Sequence, residues 1–405
     1  MTATDVVQRY LELGLRLGRH NPEIVDAYYG PTELHARVGA ESMRAPEALR
    51  DDARRLIVEL DAGIEPDIAE QRRAWIRGQL VGLEVVCRKL AGDDISYVDE
   101  VRACYGVTPK RVDESEITDT QRALDLTLPG SGLIADRLAA FRDSHVIPLD
   151  RLDAVIADLL DEFRMRTMAM FGLPEGERVR FEIVNGKPWS GFNYYEGDYR
   201  SRVAVNADRK QQMSNLPGLI AHESYPGHHT EHCRKEAGLV AALGHGEQTI
   251  FLVNTPQCLM AEGLADLALH AAVGPVWGRW AQGIYADLGL RFDGERAAAL
   301  ADARAGLADV RQDAALMLHD EHRGVDDVVA YLQRWLLVDD TRARQMLKFL
   351  SSPLWRAYTS TYVEGYRLLR AWLDDRPAGV GLTERFGRLL DEPLIPSSLR
   401  AELPV

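Results

Sequence analysis

The sequence predicts a mainly α-helical protein with one small antiparallel β-sheet, and three observations lead to this class. Apolar residues recur at helical spacing along most of the 405-residue chain. One short segment, residues 178–206, instead alternates apolar and polar side chains. Apolar residues make up 46% of the chain, which is enough to build a large core for a folded domain.

Helical spacing is clearest in two stretches. Val6, Tyr10, Leu13 and Leu17 fall on one helix face. The second stretch has the same pattern at Leu152, Ile156, Leu159, Phe163 and Met170. Residues 293–318 have the composition of one long helix, and a further helix is expected after Thr341, with Thr341 as its N-cap. We expect an N-terminal helical region, residues 1–165, followed by a second region, residues 166–405.

The predicted sheet lies in the second region. Val179, Phe181 and Ile183 alternate with charged residues, and Val203 and Val205 repeat the alternation. Between these runs, the dipeptide at 185–186 is Asn-Gly, a frequent turn sequence in antiparallel hairpins. These features predict an antiparallel sheet just before the segment with most of the chemistry.

That segment, AHESYPGHHTEH, contains four of the eleven histidines of the chain. Asn215 and Pro217 are suited to start a helix, which would carry His222 and Glu223. The common zinc-peptidase motif is H-E-x-x-H on a regular helix, but Pro226 occupies the position of its second histidine. On a straight helix His228 would lie about 120° around from His222. The two can share a metal only if the backbone bends at the Pro-Gly step.

A second interpretation of the same segment stays open. Residues 228–232 match H-x-x-E-H, the inverted zinc motif, with His228 and His232 as ligands and Glu231 as the base. His229 returns to the face of His222, but about 10 Å farther along a regular helix. Spacing alone leaves His228, His229 and His232 as candidates for the second ligand.

HESYPGH resembles the HExxPGH signature of the bacterial family called domain of unknown function 885, a zincin-like group within the gluzincin metallopeptidases. The segments LPGSGLIADRLAAFRDSHVIPLDRL, GFNYYEGDYRSRVAVN, AEGLADLAL and WRAYTSTYVEGY are also similar to the family. The resemblance covers most of residues 95–375. It implies a zincin-like architecture in which residues 166–405 are the catalytic region.

Carried over to this sequence, the resemblance implies His222, His228 and Glu262 as metal ligands and Glu223 as general base. Leu264 stands where the family commonly has tryptophan, and residues 229–231 differ from its common ending. These departures concern substrate specificity more than metal binding.

The residues around Glu262 independently favour a ligand. Thr255 and Pro256 are a typical helix start, and Glu262 then falls within the apolar run CLMAEGLADLAL. A carboxylate in such a helix is costly unless it is paired or binds a metal. Asp266 lies one turn later. The resemblance implies that it holds a ligand imidazole, and His229 is also expected beside the ligands.

Two tyrosines and one histidine are further catalytic candidates. Tyr362 matches the family's tyrosine position and is expected to stabilise the oxyanion, and Tyr358, one turn earlier, could share this role. The resemblance also suggests a position near the pocket for His319.

Three other residues are candidates for binding substrate. Arg356 is suited to bind a substrate carboxylate. Asn193 and Tyr194 are expected to flank the cleft, because gluzincins commonly pair a strand edge with the substrate backbone.

Composition restricts the partners. A formal charge of −14 disfavours nucleic acid and anionic lipid surfaces. Four cysteines without a CxxC pair indicate a reduced, cytoplasmic protein, and the first 23 residues do not resemble a signal peptide. The absence of a stretch of about 18 apolar residues predicts no membrane span.

The sequence thus predicts an enzyme with one zinc ion per chain, although other divalent metals fit the same ligands. Its substrate would be a peptide or a small amide, cleaved by metal-activated water. The alternatives are a hydrolase of a non-peptide amide or of a modified amino acid in a biosynthetic pathway, and a catalytically silent binding protein.

Overall fold

The computed structural model describes residues 5–63, 68–187, 189–208 and 210–404. Residues 1–4, part of the segment from which the absence of a signal peptide was inferred, lie outside the described residues.

Helices form most of the described chain, which confirms the mainly helical class. The helices before the main sheet are α1 (Asp5–His20), α2 (Thr32–Ala40), α3 (Pro46–Asp61), α4 (Glu70–Leu90), α5 (Tyr97–Tyr105), α6 (Glu114–Thr127), α7 (Ile134–Ser144) and α8 (Leu149–Phe171). Those after the sheet are α9 (Leu216–Glu223), α10 (His228–Lys235), α11 (Pro256–Asp266), α12 (Ala268–Ala272), α13 (Trp277–Asp287), α14 (Gly294–Arg304), α15 (Asp309–His319), α16 (Val325–Leu336), α17 (Asp340–Leu350), α18 (Tyr366–Asp374), α19 (Leu382–Asp391) and α20 (Pro396–Ala401). Wider π-helical turns occur at Glu236–Ala242 and Thr361–Gly365.

Two helix boundaries differ from the expectation. The stretch expected as one long helix is divided between α14 and α15 by a turn at residues 305–308, where Gly306 packs closely on Thr120 of α6. Helix α17 begins before Thr341: the carboxylate of Asp339 accepts the backbone N–H of Arg342 and is the N-cap.

The main sheet contains β2 (Arg178–Val184), β3 (Gly191–Gly197) and β4 (Arg200–Asn206), in the order β2-β4-β3. β3 and β4 pair antiparallel as expected, but β2 and β4 are parallel, so the sheet is mixed. The tight turn joins β3 to β4 at Asp198 and Tyr199, both with positive φ, rather than at Asn185–Gly186. β2 therefore lies on the far side of β4 from β3.

A second, two-stranded sheet was not predicted from the sequence. β1 (Val25–Tyr28) pairs antiparallel with β5 (Ile250–Leu252), and a register shift between Val25 and Ala27 marks a bulge at Asp26. Both strands are too short to show a clear alternation in the sequence. This pairing ties the N-terminal part of the chain to the segment just before α11.

Two hydrophobic cores are present. The smaller is formed mainly by α1, α3 and α4, together with Ile250 and Leu252 of β5. The larger contains the buried faces of α8, α9, α11 and the helices after them. The expected division between residues 165 and 166 falls within α8, and it stays a prediction.

None of the described helices combines the length and the apolar character needed to cross a lipid bilayer.

Candidate metal centre

Helix α9 brings His222 and Glu223 to its C-terminal end. Pro217 lies in its first turn, and Leu216 and Ile220 are buried in the larger core, which fixes the orientation of the helix. The helix ends at Ser224, where the chain leaves the helical conformation.

A sharp bend at residues 224–227 follows. The N–H of Gly227 donates to the carbonyl of Ala221 at 3.0 Å. A Cβ atom at position 227 would lie 2.0 Å from the carbonyl oxygen of His222, so only glycine fits this close approach. Helix α10 then begins directly at His228 in a new direction. The bend at the Pro-Gly step is therefore present.

The bend brings the two imidazoles together with a distant carboxylate. His228 Nε2 lies 3.1 Å from His222 Nε2, while Glu262 of α11 has oxygens 3.4 Å from His222 Nε2 and 3.7 Å from His228 Nε2. We call these three residues, which could hold a metal ion, the metal-binding cluster, and no other group of three possible metal ligands converges in the part of the chain that the structure describes.

The cluster has the dimensions of a zinc site. Metal–donor bonds of about 2.0–2.1 Å in tetrahedral geometry place ligand atoms roughly 3.3 Å apart, close to the three separations found here. Glu262 Oε2 is buried and has no hydrogen-bond partner among the described residues. The Nδ1–H of His222 donates to Asp266 Oδ1 at 3.0 Å, which turns the lone pair of Nε2 towards the cluster. Two facing imidazole lone pairs and a buried carboxylate fit a divalent cation.

The protonation of the two imidazoles differs in the metal-free chain. Burial opposes charge on His222, but the hydrogen bond to Asp266 and the close approach of the Glu262 carboxylate outweigh it and raise its pKa well above the ordinary value. Burial and the charge of His222 lower the pKa of His228. Glu262 has a lowered pKa, because contacts with both histidines outweigh its burial. A metal would therefore displace a proton from His222.

Glu223 lies beside the cluster with its side chain buried. Burial and, among its neighbours, the charge of Glu262 raise its pKa to about 7, although the charge of His222 opposes this. A carboxyl group with a pKa near neutrality is suited to take up and return a proton. Strand β3 packs against it, since a Cβ at Gly191 would lie 3.3 Å from Glu223 Oε1.

Both candidate tyrosines lie close to the cluster. Gly263 of α11 and Gly365 of the π-helical turn allow close backbone packing, because a Cβ on Gly263 would lie 2.7 Å from the carbonyl carbon of Gly365. The Tyr358 hydroxyl donates to Glu262 Oε1 at 2.7 Å, so it holds a ligand. The Tyr362 ring lies 5.7 Å from that of Tyr358, and its hydroxyl has no hydrogen-bond partner among the described residues.

The inverted motif is not assembled. The imidazole of His232 stacks on Tyr195 at 4.5 Å between ring centroids, and Glu231 is buried in an ion pair with Lys235 at 2.5 Å. Glu231 is thus already paired with a cation, and the cluster contains His228 but not His232.

His229 lies in a separate buried network, which corrects its expected place beside the ligands. Its Nε2–H donates to Glu177 at 3.0 Å, and its Nδ1 accepts from the hydroxyl of Ser201 at 2.8 Å. Glu177 also accepts from the Tyr225 hydroxyl at 2.5 Å and from Arg164 at 2.7 Å. We call these five residues the bend-support network, because Tyr225 belongs to the bend. The bend interrupts the helix between His222 and His229, so the spacing expected on a straight helix does not apply. The adjacent side chains of His228 and His229 therefore contact different partners.

Two other expected roles are not supported by the structure. The guanidinium of Arg356 is already paired with buried Glu100 at 2.6 Å and bonds the Ile95 carbonyl, so these contacts do not favour its role in binding a substrate carboxylate, which stays a prediction. His319 bonds the Leu350 carbonyl at 2.7 Å and stacks on Tyr97, so its contacts in the structure are packing contacts and its catalytic role stays a prediction.

The two β3 candidates have structural contacts. The side-chain amide of Asn193 donates to the main-chain carbonyl of Glu223 at 2.6 Å, which holds α9 against the strand. Tyr194 stacks under the guanidinium of Arg202 at 3.9 Å, on the partly exposed side of the sheet. Asn193 therefore positions the general-base candidate, while the contacts of Tyr194 lie elsewhere.

Asp26 is an acidic neighbour of the site that was not identified from the sequence. It lies at the bulge in β1, and its charge contributes to the raised pKa of Glu223. Burial and the charge of Glu262 raise the pKa of Asp26 itself to about 7. A lone aspartate in a short strand is a weak sequence signal, and only the β1–β5 pairing brings it near α11.

No protein-family model matches the chain, and no curated protein matches it in sequence. The resemblance to domain of unknown function 885 therefore stays a prediction. Among solved structures, a provisionally assigned lipoprotein from Colwellia psychrerythraea is 14% identical, with a TM-score of 0.55 over 90% of this chain and 67% of that chain. An M32 carboxypeptidase from Deinococcus radiodurans R1 is 13% identical, with a TM-score of 0.40 over 95% of this chain and 88% of that chain. The similarity to the lipoprotein from Colwellia psychrerythraea shows that this chain shares the fold of that protein.

Proposed function

We propose that this chain is a zinc-dependent hydrolase that cleaves peptide bonds. The observation that carries the proposal is the convergence of His222, His228 and Glu262 beside a buried carboxyl group, Glu223. Two imidazoles and one carboxylate are a ligand set typical of catalytic rather than structural zinc, because they leave a coordination position open.

Zinc bound there would supply a Lewis acid that polarises the scissile carbonyl and lowers the pKa of water. Glu223 takes the proton of the attacking water and later returns it to the leaving amine. Its pKa of about 7 in the metal-free chain suits both transfers.

Tyr362 is the better of the two tyrosines for stabilising the oxyanion. The hydroxyl of Tyr358 is committed to Glu262, whereas that of Tyr362 has no partner among the described residues. Tyr358 and Asp266 instead orient Glu262 and His222, which are the partners of their hydrogen bonds.

The test compares Glu223→Gln with the zinc-loaded parent protein on peptides with free and blocked termini. We expect equal zinc content and turnover lower by about 10²- to 10⁴-fold, since general-base catalysis contributes that much. Glu231→Gln is the matched control, because Glu231 would be the base of the inverted motif. Undiminished turnover in Glu223→Gln, or the larger loss in Glu231→Gln, would contradict the proposal.

A further inference from the structure

We propose that four aromatic side chains, those of Tyr362, Tyr358, Trp355 and Phe349, form a binding surface for large apolar side chains of the substrate. We call these four residues the aromatic strip. The inference rests on the proposed hydrolase function and specifies its substrate class: peptides that carry two aromatic or large aliphatic side chains, separated by one residue, close to the scissile bond.

The rings of the aromatic strip contact one another in a row. The centroids of the Tyr362 and Tyr358 rings lie 5.7 Å apart. The Tyr358 ring lies 5.2 Å from that of Trp355, which stacks on Phe349 at 6.1 Å with 22° between the ring planes. These separations are those of interacting aromatic pairs. The four side chains therefore form one continuous apolar surface, although Phe349 belongs to α17 and the others to the segment after it.

The strip reaches the metal-binding cluster. The Tyr358 hydroxyl donates to Glu262 Oε1 at 2.7 Å, so its ring lies directly beside a proposed metal ligand. The two ends of the row, Tyr362 and Phe349, are 36% and 39% exposed. The aromatic strip thus leads from the metal-binding cluster to solvent, and a substrate at the cluster has exposed ring faces beside it.

Contacts with the rest of the fold hold Trp355 in place. Its indole N–H donates to Glu23 at 3.1 Å, and the next residue, Arg356, pairs with buried Glu100 at 2.6 Å. Because the one polar atom of the Trp355 side chain is already bonded, and Phe349 has none, these two rings offer only carbon atoms to a ligand. A preformed apolar surface favours apolar side chains, since binding requires little ordering of the protein.

The spacing of the rings matches an extended peptide. Alternate side chains of an extended chain point to the same face and lie roughly 6–7 Å apart, whereas adjacent ones point to opposite faces. Neighbouring rings of the aromatic strip are 5.2–6.1 Å apart. Two side chains separated by one residue can therefore pack on two neighbouring rings, whereas two adjacent side chains cannot both reach the strip.

The test measures peptide binding to zinc-loaded Glu223→Gln protein by calorimetry. The probes are three N-acetylated pentapeptide amides: one with phenylalanine at its second and fourth positions, one with phenylalanine at its second and third positions, and one of alanine only. We expect the alternating peptide to bind roughly 10- to 100-fold more tightly than the alanine peptide, as burial of apolar side chains predicts. It should also bind about 3- to 10-fold more tightly than the adjacent one, which loses one aromatic contact.

Adding Trp355→Leu or Phe349→Ala should lower the affinity for the alternating peptide about 3- to 10-fold and leave that for the alanine peptide unchanged. Trp280→Leu is the matched control, because Trp280 is also half-buried and packs on an aromatic ring, that of Phe163 in α8, at 4.9 Å. It should change neither affinity. Thermal melting checks that each variant is folded, and Phe349→Ala, at an exposed ring, tests the strip even if Trp355→Leu is unstable.

Three results would overturn the aromatic strip as a binding surface. These are equal binding of the three peptides, equal binding of the alternating and adjacent peptides, and a preference that both strip variants keep as fully as Trp280→Leu does. Turnover of the same peptides by the parent protein tests the hydrolase function separately. Selective binding without turnover would contradict the hydrolase alone, and turnover of all three peptides without selectivity would contradict the strip alone.

Discussion

His228 and His229 are adjacent in sequence, yet they belong to two regions that differ in how their hydrogen-bonding groups are used. In the bend-support network both nitrogens of His229 and both oxygens of Glu177 have partners. In the metal-binding cluster His228 Nε2 faces His222 Nε2, and Glu262 Oε2 is buried without a hydrogen bond among the described residues.

This difference separates a structural histidine from the one that we propose as a metal ligand. Both regions contain a histidine within about 3–4 Å of a buried glutamate, so proximity alone does not distinguish them. A satisfied network stabilises the fold, whereas two imidazole nitrogens that converge with a buried carboxylate oxygen lacking a hydrogen bond fit the ligand set of a divalent cation. The bend at residues 224–227 makes the difference possible, because it turns the two side chains to separate neighbours.

The largest expected effect comes from opening the satisfied network. Glu177→Gln removes the charge of a buried carboxylate and one of its two acceptor oxygens, which together accept from His229, Tyr225 and the half-exposed Arg164. We expect the free energy of unfolding of the metal-free protein to fall by about 3 kcal/mol, because the buried His229 and Tyr225 lose a charged hydrogen-bond acceptor. Urea unfolding measures this change.

Glu182→Gln is the control for that experiment, because the Glu182–Arg202 pair is on the partly exposed face of the same sheet. A loss below about 1 kcal/mol is expected for it. If the free energy of unfolding falls equally in the two variants, the bend-support network contributes no more to stability than a surface ion pair.

A smaller effect is expected from the hydrogen bond that supports the cluster. Asp266→Asn weakens the contact with His222 Nδ1 and should lower zinc affinity about 10- to 100-fold, as other outer partners of zinc ligands do. Competition with a chelator measures the affinity. Because this bond also helps to raise the pKa of His222, urea unfolding of the metal-free variant is measured at pH 8, where that contribution is smaller than at pH 5.5, and should show little change. A variant that loses stability at pH 8 but keeps its zinc affinity would reverse the two roles.

The smallest effect concerns pH, and its sign differs between the regions. His222 has a raised pKa in the metal-free fold, so its contribution to stability is present below pH 6.5 and is lost as pH rises. Burial lowers the pKa of His229, so its contribution is present above pH 6.5 and is lost as pH falls. Replacing His222 by Asn should therefore cost more stability at pH 5.5 than at pH 8, and replacing His229 should show the reverse. Urea unfolding in the presence of a chelator measures both, and the same sign for both would contradict the assignment.

Much of the candidate site follows from local sequence. The helix that carries His222, the need for a bend at Pro226–Gly227, and the buried carboxylate at Glu262 all come from spacing and turn chemistry. The mainly helical class is confirmed, with the small sheet in the expected segment.

Partners that are distant in sequence could not be derived in this way. Nothing near His229 indicates that Glu177 would accept its hydrogen bond, and nothing near Arg356 indicates Glu100. The mixed sheet was missed because Asn185–Gly186 has the sequence of a hairpin turn, whereas pairing is set by how β2 packs on β4. Tertiary packing therefore decides which polar side chains are satisfied and which remain open to a ligand.

The most direct test of the metal centre is the zinc content of the purified protein, measured for the parent chain, His228→Ala and His229→Ala after equilibration at a fixed free zinc concentration. We expect about one zinc ion per parent chain, loss of that ion in His228→Ala, and retention in whatever fraction of His229→Ala remains folded. A parent protein that binds no divalent metal under these conditions, or a His228→Ala variant that binds it as tightly as the parent, would contradict the proposed centre.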